Sequence, residues 1–396
     1  MTKPKFVVVV FALLLLALPA RAGERVSVVL VGDTGFNGPG ARVAAEGGFK
    51  RGKLVTVEEA VAKIAPWLEA DIVFANLETV VTDRNEIAAR EKMFVFRTHP
   101  DAVRGLMAAG INLFSLANNH AMDFGGEGAG ETLRHVSGMG LLAWPGLGRD
   151  RDEAMAPHVF ALGDMRVAAS AVGNAGGGLP AREAQAGMLR EQADFPAVAA
   201  RLMAETADLR ILSVHYGTEF APLTEGATVA RFRGVEAGGG VTIVAGHHQH
   251  VARGVEVSGG RVVFYGLGNF LHLGTQDMSR FDLCRDFGLL AKVGLVRGPE
   301  GLRVETVEAV PLTGMHVQPA PMGVEAGRLR VEVLNYLGAR LGREGVRFRP
   351  QADGSGLWCA ADASDARCAG WVAHSVSERE GEIAAACGKD VRRGKF

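Results

Sequence analysis

The sequence has little net charge, few cysteines and no membrane-length hydrophobic run after residue 18. Its 43 basic and 44 acidic residues give a net charge of -1, so no overall charge attracts nucleic acid or an anionic membrane. Its 53 glycines and 15 prolines among 396 residues fall below the share of about 25–30% that marks low-complexity chains. With 48% hydrophobic residues, we expect a globular chain with no nucleic-acid partner.

The N-terminal segment has the layout of a secretory signal peptide. Lys3 and Lys5 precede an apolar run over residues 6–18, and a small-x-small triplet ends at Ala22. The run of about 13 residues is shorter than the roughly 20 that a membrane-spanning helix needs. We therefore expect cleavage after Ala22 and a periplasmic or secreted mature chain, which contacts a membrane only if the segment is retained.

The cysteines are Cys284, Cys359, Cys368 and Cys387. Their spacing contains no Cys-x-x-Cys pair of the kind that binds zinc. In an oxidising compartment these cysteines allow three disulfide pairings. The short loop favours Cys359 with Cys368, which leaves Cys284 to pair with Cys387.

Short apolar runs rich in Val, Ile and Phe alternate with stretches of helical spacing, which is typical of an α/β domain. After about Pro311 the strand signal fades, and residues 324–341 predict an amphipathic helix packed on the main domain. The predicted domains are a signal peptide (1–22), a main domain (23–310) and a C-terminal helical extension with a cysteine-containing tail (311–396). The predicted strands are 26–31, 71–76, 112–116, 166–172, 209–215, 241–245 and 262–265, and the predicted helices are 57–68, 100–109, 130–138, 193–205 and 229–237.

Polar side chains recur where these predicted strands end. Asp33 follows the first strand, and Asn76 and Glu78 follow the second. Open α/β sheets bind ligands at the carboxyl ends of their strands. If the strand continues, Asn76 and Glu78 share one face; the alternative for Asn76 is a helix cap.

A denser cluster follows the strand at 112–116. Asn118, Asn119, His120 and Asp123 stand between a buried strand and a glycine-rich segment. A single histidine is more often structural, but two amides, an imidazole and a carboxylate together predict a site.

Two further segments contribute histidines. His215 ends a strand, and Glu219 lies four residues on, close enough to orient the imidazole or to line the same cleft. His247, His248 and His250 follow the strand at 241–245. Alternation along an extended chain predicts that His248 and His250 face one side and His247 the other, so that two imidazoles converge on one ion.

The predicted metal ligands combine carboxylate, amide and imidazole groups and contain no thiolate. This mixture suits Mn²⁺, Fe²⁺ or Zn²⁺. One or two such ions can polarise a phosphoryl or acyl oxygen and activate water, so hydrolysis is the predicted reaction class. The predicted ligands are Asp33, Glu78, Asn119, His215, His248 and His250.

The other candidate residues are assigned to catalysis or to substrate binding. His120 is predicted to donate a proton to the leaving group or to stabilise charge. Arg97 is a candidate contact for a carboxylate or phosphate, and its alternative is an ordinary surface arginine. The predicted catalytic residues are His120, Asp123 and Glu219, and the predicted substrate-binding residues are Asn76, Arg97, Asn118 and His247.

A series of short motifs runs in order from Val31 to Phe270. The motifs are Val31-Gly32-Asp33, Ala75-Asn76-Leu77-Glu78, Ala117-Asn118-Asn119-His120 with Asp123, His215-Tyr216-Gly217 with Glu219, Gly246-His247-His248-Gln249-His250, and Tyr265-Gly266-Leu267-Gly268-Asn269-Phe270. In order and spacing they resemble the CapA-type poly-gamma-glutamate capsule biosynthesis family, whose domain is similar to calcineurin-like metallophosphoesterases. The resemblance implies an α/β fold of the layered α/β/β/α metallophosphatase-like type and a cell-envelope role linked to an anionic polymer.

The resemblance also implies roles for single residues. Asp33 would be the first metal carboxylate, Asn119 and His120 the amide ligand and its neighbouring acid, and His215, His248 and His250 the metal imidazoles. Two positions depart from the phosphoesterase pattern. Gly35 occupies the histidine position of the first motif, Asp-x-His, and Asn76 or Glu78 replaces the bridging aspartate of the second. These departures leave fewer ligands for a second ion.

Two functions compete. The first is an exported metal-dependent hydrolase whose substrate is an anionic polymer or a small phosphoester or peptide. The second is a non-catalytic accessory that binds or exports a polyanion on the same fold. Both would act beside an envelope polymer-synthesis machinery. A structural protein without a site would leave the histidine clusters unexplained.

Overall fold

Two β-sheets packed face to face form the centre of the computed structural model, which describes residues 25–36, 43–174, 179–237, 240–298, 301–342, 344–374 and 379–389. The strands in chain order are β1 (Arg25–Gly35), β2 (Gly47–Lys50), β3 (Lys53–Thr56), β4 (Ile72–Leu77), β5 (Val80–Val81), β6 (Arg97–Thr98), β7 (Leu113–Ser115), β8 (Leu147–Gly148), β9 (His158–Leu162), β10 (Met165–Gly173), β11 (Gly187–Met188), β12 (Leu209–His215), β13 (Ile243–His247), β14 (Val255–Ser258), β15 (Arg261–Phe264), β16 (Asn269–His272), β17 (Gly288–Gly298), β18 (Gly301–Thr313), β19 (Ala320–Pro321), β20 (Arg349–Pro350) and β21 (Gly356–Cys359).

Helices cover the outer faces of both sheets. Those in the described residues are α1 (Val57–Val61), α2 (Pro100–Ala108), α3 (Gly125–Ser137), α4 (Arg151–Met155), α5 (Glu191–Ala204), α6 (Gly226–Ala237), α7 (Val324–Arg340) and α8 (Glu380–Cys387).

The first sheet has nine strands and the second has six. The first runs β20-β21-β18-β17-β1-β4-β7, with β16 paired to β1 and β19 to β18. The second runs β14-β15-β13-β12-β10-β9. Strands β1, β4, β7 and β16 run parallel in the first sheet, as do β10, β12, β13 and β15 in the second. Their carboxyl ends therefore present loops along one edge of each sheet.

The side chains of each strand alternate between the two faces of its sheet, and this alternation explains the layered arrangement. Val28 and Leu30 of β1 pack against Ile211 of the opposing sheet in one core cluster. Val29 and Val31 point to the opposite face and pack with residues of α1, α2 and α3 in a second cluster. Because successive strand residues face opposite sides, both faces of this sheet are buried. The α/β class and the layered α/β/β/α arrangement predicted from the sequence are confirmed.

One predicted helix is wrong in length. The segment 57–68 forms only α1, and a separate 3₁₀ turn covers Ala65–Trp67. Pro66 has no backbone N–H to donate to the carbonyl four residues before it, so a continuous helix cannot pass through this point. The other predicted helices and strands differ from the structure by a few residues at their ends.

The C-terminal region adds strands that the sequence analysis missed. β21 pairs with β18, and β20 pairs with β21, so residues beyond 310 extend the first sheet. The predicted amphipathic helix is present as α7, in which Val333 and Leu337 are buried. The domain boundary at residue 310 stays a prediction.

Both predicted disulfides are confirmed. Cys284 is bonded to Cys387, and Cys359 to Cys368. The predicted signal peptide lies outside the described residues. No helix within the described ranges has the length and apolar character needed to cross a membrane.

Candidate metal centre

The predicted ligands meet where the two sheets present the carboxyl ends of their parallel strands. Asp33 lies near the end of β1, and Glu78 directly follows β4. His215 is the last residue of β12. His248 and His250 follow β13 and have positive φ values of 92° and 60°. The backbone turns sharply there and brings both imidazoles back toward the first sheet.

Asp33 is the central anion of the site and is fully buried. Asn76 Nδ2 donates to its Oδ1 at 2.8 Å, and the backbone N of His248 donates to its Oδ2 at 3.2 Å. His247 Nδ1 and His250 Nδ1 each lie 3.3 Å from one of its oxygens. Burial opposes ionisation, but the favourable interactions with these two imidazoles outweigh it and hold the pKa of Asp33 well below its usual range.

Glu78 is fully buried, and neither of its carboxylate oxygens has a hydrogen-bond partner among the described residues. Oε1 lies 3.5 Å from His215 Nε2, and Oε2 lies 3.5 Å from His272 Nε2. Burial, followed by the negative charge of Asp33, raises the pKa of Glu78 well above its usual range. A buried carboxylate without donors is costly unless a cation compensates it. The site therefore fits a divalent cation.

The histidines differ in protonation. Burial is the main cause that lowers the pKa of His215 well below its usual range. Burial and the charge of His250 lower the pKa of His248 to about 4. Burial also acts against the proton of His250, but the hydrogen bond to Asp33 and the charge of Glu78 raise its pKa to about 10. His215 and His248 are thus already in the neutral form that binds metals.

At this centre, two groups of donors lie close enough to hold an ion. In each group, ligand atoms from three residues lie within 4.8 Å of one another. One group is Glu78, His215 and His248, the other is Asp33, Glu78 and His250, and Glu78 belongs to both. Asn119, the remaining predicted ligand, places its Oδ1 2.7 Å from His215 Nε2. The structure therefore brings all the predicted metal ligands together.

His120 and Asp123 form a hydrogen-bonded pair beside this cluster. His120 Nδ1 lies 2.6 Å from Asp123 Oδ2, and the ring of Phe96 packs on the imidazole with centroids 4.0 Å apart. Asp123 is held in turn by the backbone N of Phe96 at 2.7 Å and by the ammonium of Lys92. Burial, opposed by Asp123, lowers the pKa of His120.

Glu219 lies within electrostatic reach of the centre. Its side chain is partly exposed, and its negative charge contributes to the raised pKa of His250. It lines a cavity of about 230 Å³ together with Phe220, Arg285 and Lys389. Its predicted catalytic role stays a prediction.

The substrate-binding role predicted for Arg97 is wrong, as is the alternative of a surface arginine. Arg97 is only 5% exposed. Its guanidinium donates to the carbonyls of Arg84 at 2.6 Å and Ile87 at 3.1 Å and lies 3.9 Å from the ring centroid of Phe124. These contacts occupy the guanidinium within the fold, so it is not free to bind an anion.

The asparagines position the ligands instead of facing a substrate. Asn118 Nδ2 donates to the carbonyl of Leu77 at 2.8 Å, and Asn118 Oδ1 accepts from the backbone N of His120 at 3.1 Å. Asn76 lies within β4 and donates to Asp33, so the helix-cap alternative is wrong. Both amides act within the fold, which corrects their assignment to substrate binding.

The predicted orientation of His247 is also wrong. Its Nδ1 lies 3.3 Å from Asp33, on the same side as His250. The alternation rule fails because β13 ends at His247 and the next residue has a positive φ. Since His247 is fully buried against Asp33, it belongs to the centre and not to a substrate surface.

Two residues of β16 received no role from the sequence: Asn269, which lies in the final motif, and His272, which was missed. Asn269 Oδ1 lies 2.9 Å from His250 Nδ1. His272 is fully buried, and burial together with the charge of His250 lowers its pKa well below the usual range. The final motif ended at Phe270 in the sequence analysis, two residues short of this histidine. Extending the strand to the next polar residue would have found it.

Replacing Glu78 by glutamine tests whether this carboxylate awaits a cation. Without metal, Glu78→Gln is expected to be at least as stable as the wild type, because no partner is lost. With metal at 100 times its dissociation constant, the wild type should gain about 2.7 kcal/mol and the variant little. Thermal unfolding with EDTA and with Mn²⁺ measures the stability of each protein without and with metal. Glu69→Gln, at an exposed glutamate, is the control. Equal stabilisation of both proteins by metal would contradict the assignment.

The fold and the site together define a layered α/β protein with a buried cluster of carboxylates and imidazoles able to hold divalent metal. The chain belongs to the family described as bacterial capsule synthesis protein PGA_cap, whose model matches residues 27–273. The resemblance to the CapA-type family seen in the sequence is thereby confirmed.

The relatives agree with this assignment. The chain is 32% identical over 226 residues to a probable polyglutamine synthesis accessory protein of Mycobacterium tuberculosis, covering 52% of this chain and 58% of that protein. It is 28% identical over 208 residues to the PGA biosynthesis protein CapA of Bacillus subtilis, covering 51% and 53%. The match thus spans about half the length of each relative. A novel phosphatase from Mycoplasma pneumoniae is a structural neighbour, with 14% identity, a TM-score of 0.42 and coverage of 73% of this chain and 93% of that chain.

Proposed function

We propose that this chain is a metal-dependent hydrolase that acts on an anionic cell-envelope polymer or on a phosphoester or peptide precursor of it. The observation that supports this most strongly is Glu78, a buried carboxylate without hydrogen-bond partners in the described structure, placed between imidazoles at the ends of parallel strands. Such a group fits a cation far better than it fits a stable empty core.

Asp33, Glu78, His215, His248 and His250 would hold the cation. A divalent ion there supplies Lewis acidity, polarising a phosphoryl or acyl oxygen and making water more acidic. Mn²⁺, Fe²⁺ and Zn²⁺ are the ions that this mixture of oxygen and nitrogen donors suits.

The chain itself supplies orientation and a proton. Asp123 accepts from His120 Nδ1, which fixes the imidazole and leaves Nε2 as the atom that exchanges a proton with the substrate. His120 then donates that proton to the leaving oxygen or nitrogen as the bond breaks. The packing of Phe96 on the ring excludes water from that side. Asn76 holds the carboxylate of Asp33 in position, and Asn118 holds the backbone of His120 in position.

The family and the charge of the site support the proposed substrate class. The names of the relatives refer to PGA and to polyglutamine synthesis, and we propose an anionic polymer such as poly-gamma-glutamate. The guanidinium of Arg97 is bound to backbone carbonyls within the fold, so it does not serve as the positive charge for the polymer. The bound cation would instead attract the polymer's carboxylates. The likeness spans only about half of each relative, so a partnership with a polymer-synthesis machinery also belongs to the proposal.

An accessory without turnover is the second candidate. It is favoured by the word accessory in the name of the mycobacterial relative and by Gly35 at the histidine position of the Asp-x-His motif. In that case the centre would bind the polymer through its cation and release it unchanged.

Replacing His120 by alanine separates the two candidates. Metal-loaded wild type should hydrolyse bis(p-nitrophenyl) phosphate, and His120→Ala should be about 10²- to 10⁴-fold slower because the proton donor is lost. Metal content should stay unchanged, as should the activity of His158→Ala, a histidine outside the centre. Absence of turnover by the wild type with Mn²⁺, Fe²⁺ and Zn²⁺ would favour the accessory.

We also propose that the chain is exported. The basic, apolar and small-residue pattern of residues 1–22 supports this, as do the two disulfides, which persist in oxidising compartments. Protein recovered from a bacterial periplasm should begin at Gly23. An N-terminal sequence that still starts at Met1 would contradict cleavage.

A further inference from the structure

One buried imidazole next to the centre has no part in the function proposed above. We infer that His272 is a ligand of a second cation position, built on Oε2 of Glu78 together with Asp33 and His250. This inference rests on the proposed metal-dependent function and extends it from one ion to two.

The two carboxylate oxygens of Glu78 lie near two different histidines. Its Oε1 lies 3.5 Å from His215 Nε2, and its Oε2 lies 3.5 Å from His272 Nε2. An N–H···O hydrogen bond is usually about 2.7–3.2 Å long. Ligands at about 2.0–2.2 Å from one tetrahedral ion lie roughly 3.4 Å from each other. Both distances therefore match two ligands bound to the same ion. Oε1 would share one ion with His215, and Oε2 would share another ion with His272.

Each side of the carboxylate has further donors of its own. His215 and His248 join Glu78 on one side, whereas Asp33 and His250 join it on the other. His250 and His272 meet edge to face, with ring centroids 5.8 Å apart. His272 approaches this second side through Oε2 of Glu78, 3.5 Å from its Nε2, and Glu78 lies between the two positions.

The contacts of His272 leave it ready to bind. It is fully buried, and neither ring nitrogen has a hydrogen-bond partner among the described residues. Its other ring contact is the edge of Phe96, at a centroid distance of 5.2 Å. A purely structural buried histidine normally satisfies at least one nitrogen with a hydrogen bond. The unpartnered nitrogens point instead to a ligand.

The pairing of β16 with β1 explains how this histidine reaches the site. Gly35 of β1 stands opposite His272 in the strand register, and Asp33 stands opposite Asn269. Gly35 occupies the position where the Asp-x-His pattern has its imidazole, so β1 itself presents no side chain there. The neighbouring strand fills this gap with the imidazole of His272. The second cation position therefore keeps an imidazole ligand although residue 35 is a glycine.

Metal stoichiometry tests the inference without any measurement of activity. The full mature protein is stripped with chelator, dialysed against Mn²⁺ and measured by elemental analysis. We expect two Mn²⁺ per wild-type chain and one for His272→Leu, which fills the space without a donor. His374→Leu is the matched control, since His374 is also paired with a glutamate, 2.8 Å from Glu332, but lies outside the centre. It should bind two.

The outcomes separate this inference from the proposed function. Two ions in both the wild type and His272→Leu would overturn the role of His272, and a single ion in both would overturn the second position; either result leaves the proposed function standing. No bound metal in the wild type would overturn both. If circular dichroism shows that His272→Leu is unfolded, His272→Gln replaces it, and its second Mn²⁺ should bind at least about tenfold more weakly. Unchanged affinity would overturn the inference.

Discussion

Replacing His248 and His250 together by alanine is expected to weaken metal binding by at least about 100-fold, because loss of even supporting groups around a metal costs 10- to 100-fold. The two residues supply one imidazole to each donor group around Glu78. The double variant therefore leaves two donors in each group. Calorimetric titration of chelator-stripped protein with Mn²⁺ or Zn²⁺ measures the change.

The fold should survive this double replacement. Both residues have positive φ values, and alanine carries a Cβ as histidine does, so most of the steric strain of these conformations is already present in the wild type. The double variant His158→Ala with His374→Ala removes the same number of imidazoles elsewhere and should keep wild-type affinity. Retained tight binding in the His248 and His250 variant, with a native circular dichroism spectrum, would contradict the assigned ligands.

Removing the Cys284–Cys387 disulfide should cause the largest loss of stability. This bridge spans 103 residues, whereas Cys359–Cys368 spans 9. Loop-closure entropy gives about 4.7 kcal/mol for the long loop and about 2.6 kcal/mol for the short one. The double alanine variant at Cys284 and Cys387 should therefore unfold at lower urea concentration than the variant at Cys359 and Cys368. Equal midpoints for the two variants would contradict this account.

The long bridge also supports the candidate site. Next to it, Arg285 donates to the carbonyl of Phe220 at 2.8 Å and to that of Ala386 in α8 at 3.1 Å. The ring centroid of Phe220 lies 6.0 Å from that of His250. Loss of the bridge frees α8 and, through Arg285, the loop beside the metal centre. The variant at Cys284 and Cys387 should bind metal more weakly than the other disulfide variant.

Much of the site could be predicted because one rule relates the sequence to the place of a side chain in the fold. Polar residues that follow buried strands come together when those strands run parallel. Asp33, Glu78, His215 and His248 lie at the carboxyl ends of four such strands, and the structure brings them together from both sheets. The cysteine pairing was predictable for a similar reason, since the short loop left one partner each for Cys284 and Cys387.

The rest depended on local backbone geometry and on packing. His247 faces Asp33 on the same side as Ile243 and Ala245 of β13. The backbone then turns at His248, with a φ of 92°, and brings the later imidazoles to the same centre, which alternation cannot anticipate. Arg97 was assigned to an anion because the sequence does not show the carbonyls of Arg84 and Ile87 that bind its guanidinium. His272 was missed because its role depends on the register of β16 against β1.

The most direct test of the metal centre is anomalous diffraction from crystals of Mn²⁺-loaded protein. The account predicts anomalous peaks on the two sides of the Glu78 carboxylate, one beside His215 and His248 and the other beside Asp33, His250 and His272. Crystals without any anomalous peak among these side chains, although Mn²⁺ is present in excess, would contradict the central claim.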